Sequence, residues 1–281
     1  SPYNDGGANA VQELAFALAT GVEYVRAMAE RGLTIEEAAA QMGFTFAVGG
    51  NFFMEVAKLR TARLLWSQVV DAFGGSDEAQ KMTIHVRTAR ANKTKTDPYV
   101  NMLRATTEAF AGAVGGVASM EIAPFDAPIR PADEFSRRIA RNTQLVIQAE
   151  ASMDRIIDPA GGSWYVEQLT DHLGKAAWAL FQEIEGMGGM ASALIAGFPQ
   201  AQVAEVTAKR TANLATRRDV LVGTNMYPNL GERPLTVSDT HRAAASASGG
   251  SGGRVYGRDG AQGDGFPFRR RRVSGRVSGD Y

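Results

Sequence analysis

The 281-residue sequence contains no cysteine, which excludes a disulfide framework and any thiolate metal site and fits a reducing compartment. It has only three histidines, His85, His172 and His241. Their positions give no HxxxH or other metal-ligand spacing, so no metal site is expected. No run approaches the roughly 18 apolar residues of a membrane span, and no signal-peptide pattern opens the chain, so a cytoplasmic protein without membrane contact is expected. The formal net charge is zero, yet it hides an asymmetry. From Asp239 onward eight arginines face four aspartates, leaving about +4 on the tail and about −4 on the rest.

What is present is a core: 44% of the residues are hydrophobic and 21% charged, enough for one α/β domain with an appendage. Its centre runs from Met82 to Pro124. Ile84 and Val86 alternate with Thr83, His85 and Arg87, the period-2 pattern of a strand. Asp97-Pro98 then reads as N-cap and first residue of a helix, Tyr99 to Val114, with Met102, Leu103, Thr106, Phe110, Ala113 and Val114 at helical spacing. Gly115-Gly116 ends that helix, and Ser119 to Pro124 reads as the next strand. Strand, helix and strand make a βαβ unit with parallel strands.

Upstream, Ala8 to Arg31 predicts a long helix with Val11, Leu14, Ala15, Leu18, Val22 and Val25 along one stripe. Thr34 and Glu37 have the spacing of a capping box for a short helix to Met42. Phe44 to Gly49 is a strand by its β-branched and aromatic content. Asn51 caps a helix to about Phe73, with Phe53, Val56, Ala57, Leu64, Leu65 and Val69 inward. Ser1 to Asp5 precedes all of this without a lead-in element, as if cut from something longer.

Downstream, Asp133 to Glu150 predicts a helix, Arg155 to Asp158 a short strand, and Asp158 to Ser163 a turn. Trp164 to Met187, Gly189 to Ala196 and Gln200 to Arg217 are successive helices, and Val220 to Gly223 is a last short strand. Strands alternating with helices and then helices alone indicate a parallel α/β barrel or doubly wound sheet with a helical extension. Ser238 to Tyr281 is rich in Ala, Ser, Gly and Arg and is expected to be disordered. Arg269 to Arg272 would attract phosphate, but no folded nucleic-acid reader stands beside it. It reads as a solvated tail, and no nucleic-acid partner is expected.

Three long stretches carry a family resemblance: Asn51 to Arg60 with Leu64-Leu65-Trp66, Phe135 to Gln144, and Ile157 to Glu167. They resemble the methylmalonyl-CoA mutase family over about residues 1 to 230. The resemblance implies a (β/α)8 barrel that wraps an acyl-CoA, followed in catalytic chains by a domain holding adenosylcobalamin. This chain would supply the second half of such a barrel at residues 1–163, a helical extension at 164–235 and a low-complexity tail at 236–281.

At the polar positions used by catalytic members the chain departs from the family pattern. Asn4 stands where they carry a histidine. Ala40-Gln41-Met42-Gly43 replaces a segment whose arginine and serine hold the CoA. Ala89 and Ala91 replace a histidine and a glutamine, and Ala123 and Ala127 an asparagine and a glutamate. Ser1 to Asp5, Lys93 to Met102 and Glu121 to Ala127 resemble the small subunit. The resemblance therefore implies a non-catalytic structural partner of a large subunit that carries the adenosylcobalamin and binds the acyl-CoA. No catalytic, cofactor-binding or metal-ligating residue is expected in this chain. The alternative is a catalytic acyl-CoA mutase barrel whose cobalamin domain lies on a separate chain.

Overall fold

The computed structural model describes residues 2–232 and Leu235. The expected disordered segment from 238 onward, including His241 and Arg269 to Arg272, lies outside them. Three strands form one parallel sheet in the order β1-β2-β3: β1 Gly43–Val48, β2 Thr83–Thr88 and β3 Ser119–Glu121. Phe46 stands opposite Val86, and Arg87 opposite Glu121. The connections run through helices, as parallel pairing requires: α4 Phe52–Ala72 joins β1 to β2, and α5 Val100–Val114 joins β2 to β3. Before β1 come α1 Pro2–Asp5, α2 Ala10–Ala29 and α3 Ile35–Ala40; after β3 come α6 Glu134–Leu145, a π-turn at Val146–Glu150, α7 Trp164–Gly186, α8 Met190–Ile195 and α9 Phe198–Ala215. The architecture is mixed α/β with a parallel sheet and more helix than strand.

Alternation along the strands sorts the two faces. Phe44, Phe46, Val48, Ile84, Val86 and Met120 are buried beneath helices. Trp66 of α4 meets Phe44 edge-on at 4.7 Å, and at Gly21 of α2 a Cβ would lie 2.9 Å from that indole. On α5 the contact is made by small residues. A Cβ at Gly112 would lie 3.1 Å from Val86, so Ala105, Ala109 and Gly112 bring the backbone close to the sheet. α7 packs outside this layer, against α2 and α4. The other face carries Thr45, Thr83, His85, Arg87, Ser119 and Glu121, none of them buried.

Local side-chain capping accounts for four of the helix starts. Asn9 and Gln12 form a capping box on α2, Thr34 and Glu37 form the expected one on α3, and Asn51 and Asp133 cap α4 and α6.

Several expectations are corrected. Asp97 does not cap α5; it adopts a left-handed φ of 46°, and the helix starts at Val100 without a side-chain cap. Leu103 and Phe110 face outward, at 67% and 39% exposure, because the close Ala/Gly contact takes the sheet side. Phe53 and Leu64, expected inward, are half exposed. β3 stops at Glu121 rather than Pro124; two residues further on, the Ala123 amide donates to the Thr88 hydroxyl at 2.9 Å. Arg155 to Asp158 is a bend, not a strand: among the described residues no strand pairs with it, Ile156 and Ile157 face solvent, and Asp158 has φ 48°. Val220 to Gly223 contributes only an isolated bridge between Val222 and Met226. The first residues do contain an element, the short helix α1, whose Tyr3 hydroxyl lies 3.0 Å from the Thr20 hydroxyl.

Candidate functional site

In parallel α/β folds ligands meet the carboxyl ends of the strands. Here that end opens into a cleft of about 560 Å³. Gly49 and Gly50 follow β1 into its wall, Ala89, Ala91 and Asn92 follow β2, and Asn4, Asn9 and Asn51 come from the starts of α1, α2 and α4. Leu173 of α7, Arg210 and Leu214 of α9, and Asp219 and Leu221 complete it.

Beneath this rim lies a floor of buried charge. Lys58 of α4 is 1% exposed and Glu13 of α2 is 0% exposed. The Lys58 ammonium donates to Glu13 Oε2 at 2.7 Å and to the Ala47 carbonyl at 2.6 Å, and it pairs with Glu55 at 2.5 Å. The Ala47 amide donates to Glu13 Oε1 at 3.0 Å. Both main-chain groups of Ala47 are thus satisfied by one ion pair, which ties α2, α4 and β1 at a single point. Burial works against the charged ammonium, but Glu13 and Glu55 more than reverse this and hold the Lys58 pKa above its ordinary value.

A second buried pair sits beside the first. Lys93 donates to both oxygens of Glu108, at 2.8 and 2.7 Å, and Asn92 donates to Glu108 Oε1 at 2.6 Å. Burial raises the Glu108 pKa and lowers that of Lys93, each against the pull of its partner. In the first turn of α5 Asn101 accepts from the Thr94 amide and donates to the carbonyls of Thr94 and Phe125, fixing the β2–α5 connection to the segment after β3.

The residues at which the chain departs from the family pattern divide into three groups. Asn4, Ala89 and Ala91, from α1 and from the end of β2, line the same cleft. Ala123 and Ala127 do not line it: Ala123 is held by Thr88, and Ala127 is an exposed turn residue whose amide donates to the Pro124 carbonyl. Ala40 to Gly43 lies at the opposite, amino-terminal end of β1. His85 lies on the open sheet face with Nδ1 2.8 Å from the Ser119 hydroxyl, and burial lowers its pKa against the pull of Glu121. His172 is exposed on α7.

The sequence reading missed Glu13, Glu55, Lys58, Lys93 and Glu108. The available signal was the Glu55-x-x-Lys58 spacing inside an otherwise apolar helix stripe, since a buried cation needs a carboxylate one turn away.

Chemically, the strand-end rim supplies carboxamides, methyl groups and main-chain groups, the far wall adds the Arg210 guanidinium and the Asp219 carboxylate, and the buried ammonium groups are already bonded within the chain. This donor set does not match the imidazoles and glutamine that the family resemblance places around the acyl-CoA, so no reaction step is derived through adenosylcobalamin. Among the described residues no group of three or more His, Cys, Asp or Glu side chains is placed to hold a metal ion. No helix among them is long and apolar enough to cross a membrane.

A parallel α/β fold with its cleft at the strand ends defines a broad class. Comparison with known proteins narrows it. A family model described as methylmalonyl-CoA mutase matches residues 1–248, and the chain belongs to that family. It is 44% identical over 249 residues to the methylmalonyl-CoA mutase small subunit of Streptomyces virginiae, covering 89% of this chain and 40% of that protein. It is 42% identical over 231 residues to the small subunit of Porphyromonas gingivalis, covering 82% of this chain and 37% of that one. The methylmalonyl-CoA mutase of Cereibacter sphaeroides is 43% identical over 241 residues, covering 85% and 34%. The chain spans two fifths or less of the length of these relatives.

Proposed function

We propose that this chain is part of the small subunit of a methylmalonyl-CoA mutase, a component of the isomerase that interconverts methylmalonyl-CoA and succinyl-CoA in propionate metabolism. Its role is structural. It holds a barrel-type domain against a large subunit in a cytoplasmic heterodimer, and that large subunit carries the adenosylcobalamin and binds the acyl-CoA. In this reading residues 1–163 belong to a (β/α)8 barrel, 164–235 to a helical extension and 236–281 to an appended tail.

The observation that carries the reading is the convergence of Asn4, Ala89 and Ala91 on one cleft. A radical isomerisation needs oriented polar groups around a dry cavity, and at these positions two methyl groups and a carboxamide line the wall. The names of the Streptomyces virginiae and Porphyromonas gingivalis relatives support the subunit assignment. A second reading, a catalytic acyl-CoA mutase barrel with its cobalamin domain on another chain, draws on the nearly equal identity to the Cereibacter sphaeroides mutase, which is not named a subunit.

Copurification tests the partner role. Co-expressed with a cobalamin-binding mutase subunit, the tagged chain is expected to retain it through gel filtration and to raise its melting temperature by mass action. Separate elution of the two chains at micromolar concentration would contradict the role.

A further inference from the structure

One wall of the cleft is made by a segment with almost no hold on the core. After α9 the chain turns at Arg217, whose φ is 59°, and Asp219 and Leu221 then line the cleft. Asn225 folds this segment on itself, donating to the Leu214 and Asp219 carbonyls and accepting from the Leu221 amide. Of residues 216–232 only Gly223 is buried, while Val220, Val222, Tyr227 and Leu230 face solvent.

Apart from the Asn225 bond to α9, the attachments of the segment to the body converge on the β2–α5 loop and the start of α5. The Asp97 amide donates to Glu232 Oε1 at 2.7 Å, and Arg104 donates to the Val222 carbonyl at 2.5 Å. Gly223, at φ 77°, packs so closely on Asp97 that a Cβ there would lie 2.9 Å from its side chain. Asp97 itself is left-handed, a conformation an aspartate keeps only when its surroundings hold it.

We propose that residues 219–232 are a strap that opens and closes this wall of the cleft, hinged at Arg217 and latched on Asp97 and Arg104. A polar latch without a buried apolar anchor opens locally at far lower free energy than the sheet beneath it. Access to Ala89 and to the floor around Glu55 then depends on the latch, whether the cleft is catalytic or not.

The absence of cysteine makes the test direct. Ala89 is 4% exposed, so Ala89→Cys places a single thiol behind the strap, and Gln68→Cys places one on an exposed part of α4 far from it. In the full chain, Glu232→Ala is expected to raise the rate at which a bulky maleimide labels Ala89→Cys by about tenfold, the effect of losing one charged hydrogen bond. Labelling of Gln68→Cys should not change. Equal rates at Ala89→Cys with and without Glu232→Ala, or acceleration at both thiols together, would overturn the proposal. In the unsubstituted chain, hydrogen exchange at the Asp97 amide is expected to be about a hundredfold faster than at the Ala89 amide, which bonds to Val48 within the sheet. Exchange of both at one global rate would overturn the strap independently of any substitution.

Discussion

The floor and the strand-end rim adjoin one another in the same cleft, yet they are built differently. The floor concentrates charge: Glu13, Glu55, Lys58, Lys93 and Glu108 are buried together, and each ion is paired. The strand-end rim, where a ligand would be met, carries Asn4, Ala89 and Ala91, with Arg210 and Asp219 across from them in the wall after α9. In the floor charge joins elements of the fold, whereas on the rim Arg210 and Asp219 bring it only from α9 and the segment after it, away from the ends of the strands. Buried ion pairs are poor evidence of net stability, because desolvation opposes the Coulomb gain, but removing one partner is severe. The floor is therefore where substitutions should matter, and the rim is where they should not.

The largest effect is expected at Lys58. Lys58→Met leaves Glu13 and Glu55 buried beside each other without a cation and takes a donor from the Ala47 carbonyl; it should cost about 3–5 kcal/mol of unfolding free energy in a urea titration. A loss below about 1 kcal/mol would mean that water enters the floor and the charges are not structural.

A smaller effect is expected where the floor meets the rim. Thr88, 4% exposed, accepts the Ala123 amide at the point where β3 ends. Thr88→Val keeps the shape and removes the acceptor, for an expected loss of about 1–2 kcal/mol by the same titration. An unchanged midpoint would show that another group satisfies that amide.

On the open sheet face, His85 sharpens the contrast through pH. Its folded-state pKa lies below the ordinary histidine value because burial opposes the charged ring, with Glu121 acting against this and Arg87 adding to it. A depressed histidine favours the folded state fully above its unfolded pKa of about 6.5, and this contribution is lost as pH falls through the folded value. The melting temperature should therefore drop more for the unsubstituted chain than for His85→Gln between pH 7 and pH 5. Parallel profiles would place His85 in a solvated site.

The smallest effect is expected on the rim. Ala91→Ser adds a hydroxyl at an exposed position in the cleft and should change stability by less than about 0.5 kcal/mol.

The sequence revealed those parts of the fold that follow from local periodicity and capping. The alternation of Thr83 to Thr88, the stripe along Leu14, Leu18, Val22 and Val25, and the caps at Thr34 and Asn51 are present in the structure. Failures occurred where tertiary context decides. Leu103 and Phe110 share the helical spacing of core residues, but Ala105, Ala109 and Gly112 permit a closer approach and take the sheet side. Asp97-Pro98 has the composition of a helix start, yet the Asp97 amide is claimed by Glu232, 135 residues further on. Ile156-Ile157 looks like strand, but β-propensity needs a neighbouring strand and none lies there. Of the candidate site, the comparison with a family pattern pointed to Asn4, Ala89 and Ala91, which meet in the cleft, and equally to Ala123, Ala127 and Ala40 to Gly43, which do not line it. The floor was not legible, because a lysine and three glutamates in helices look like solvated positions until the fold brings them together.

Turnover by the protein without a partner tests the central claim most directly. With adenosylcobalamin and methylmalonyl-CoA supplied, the full-length chain is expected to form no succinyl-CoA and to elute from gel filtration free of cobalamin absorbance, and succinyl-CoA should appear only when a cobalamin-binding mutase subunit is added. Succinyl-CoA formed by the chain alone, abolished by Ala89→Trp in the cleft, would contradict the account and make the strand-end cleft an active site.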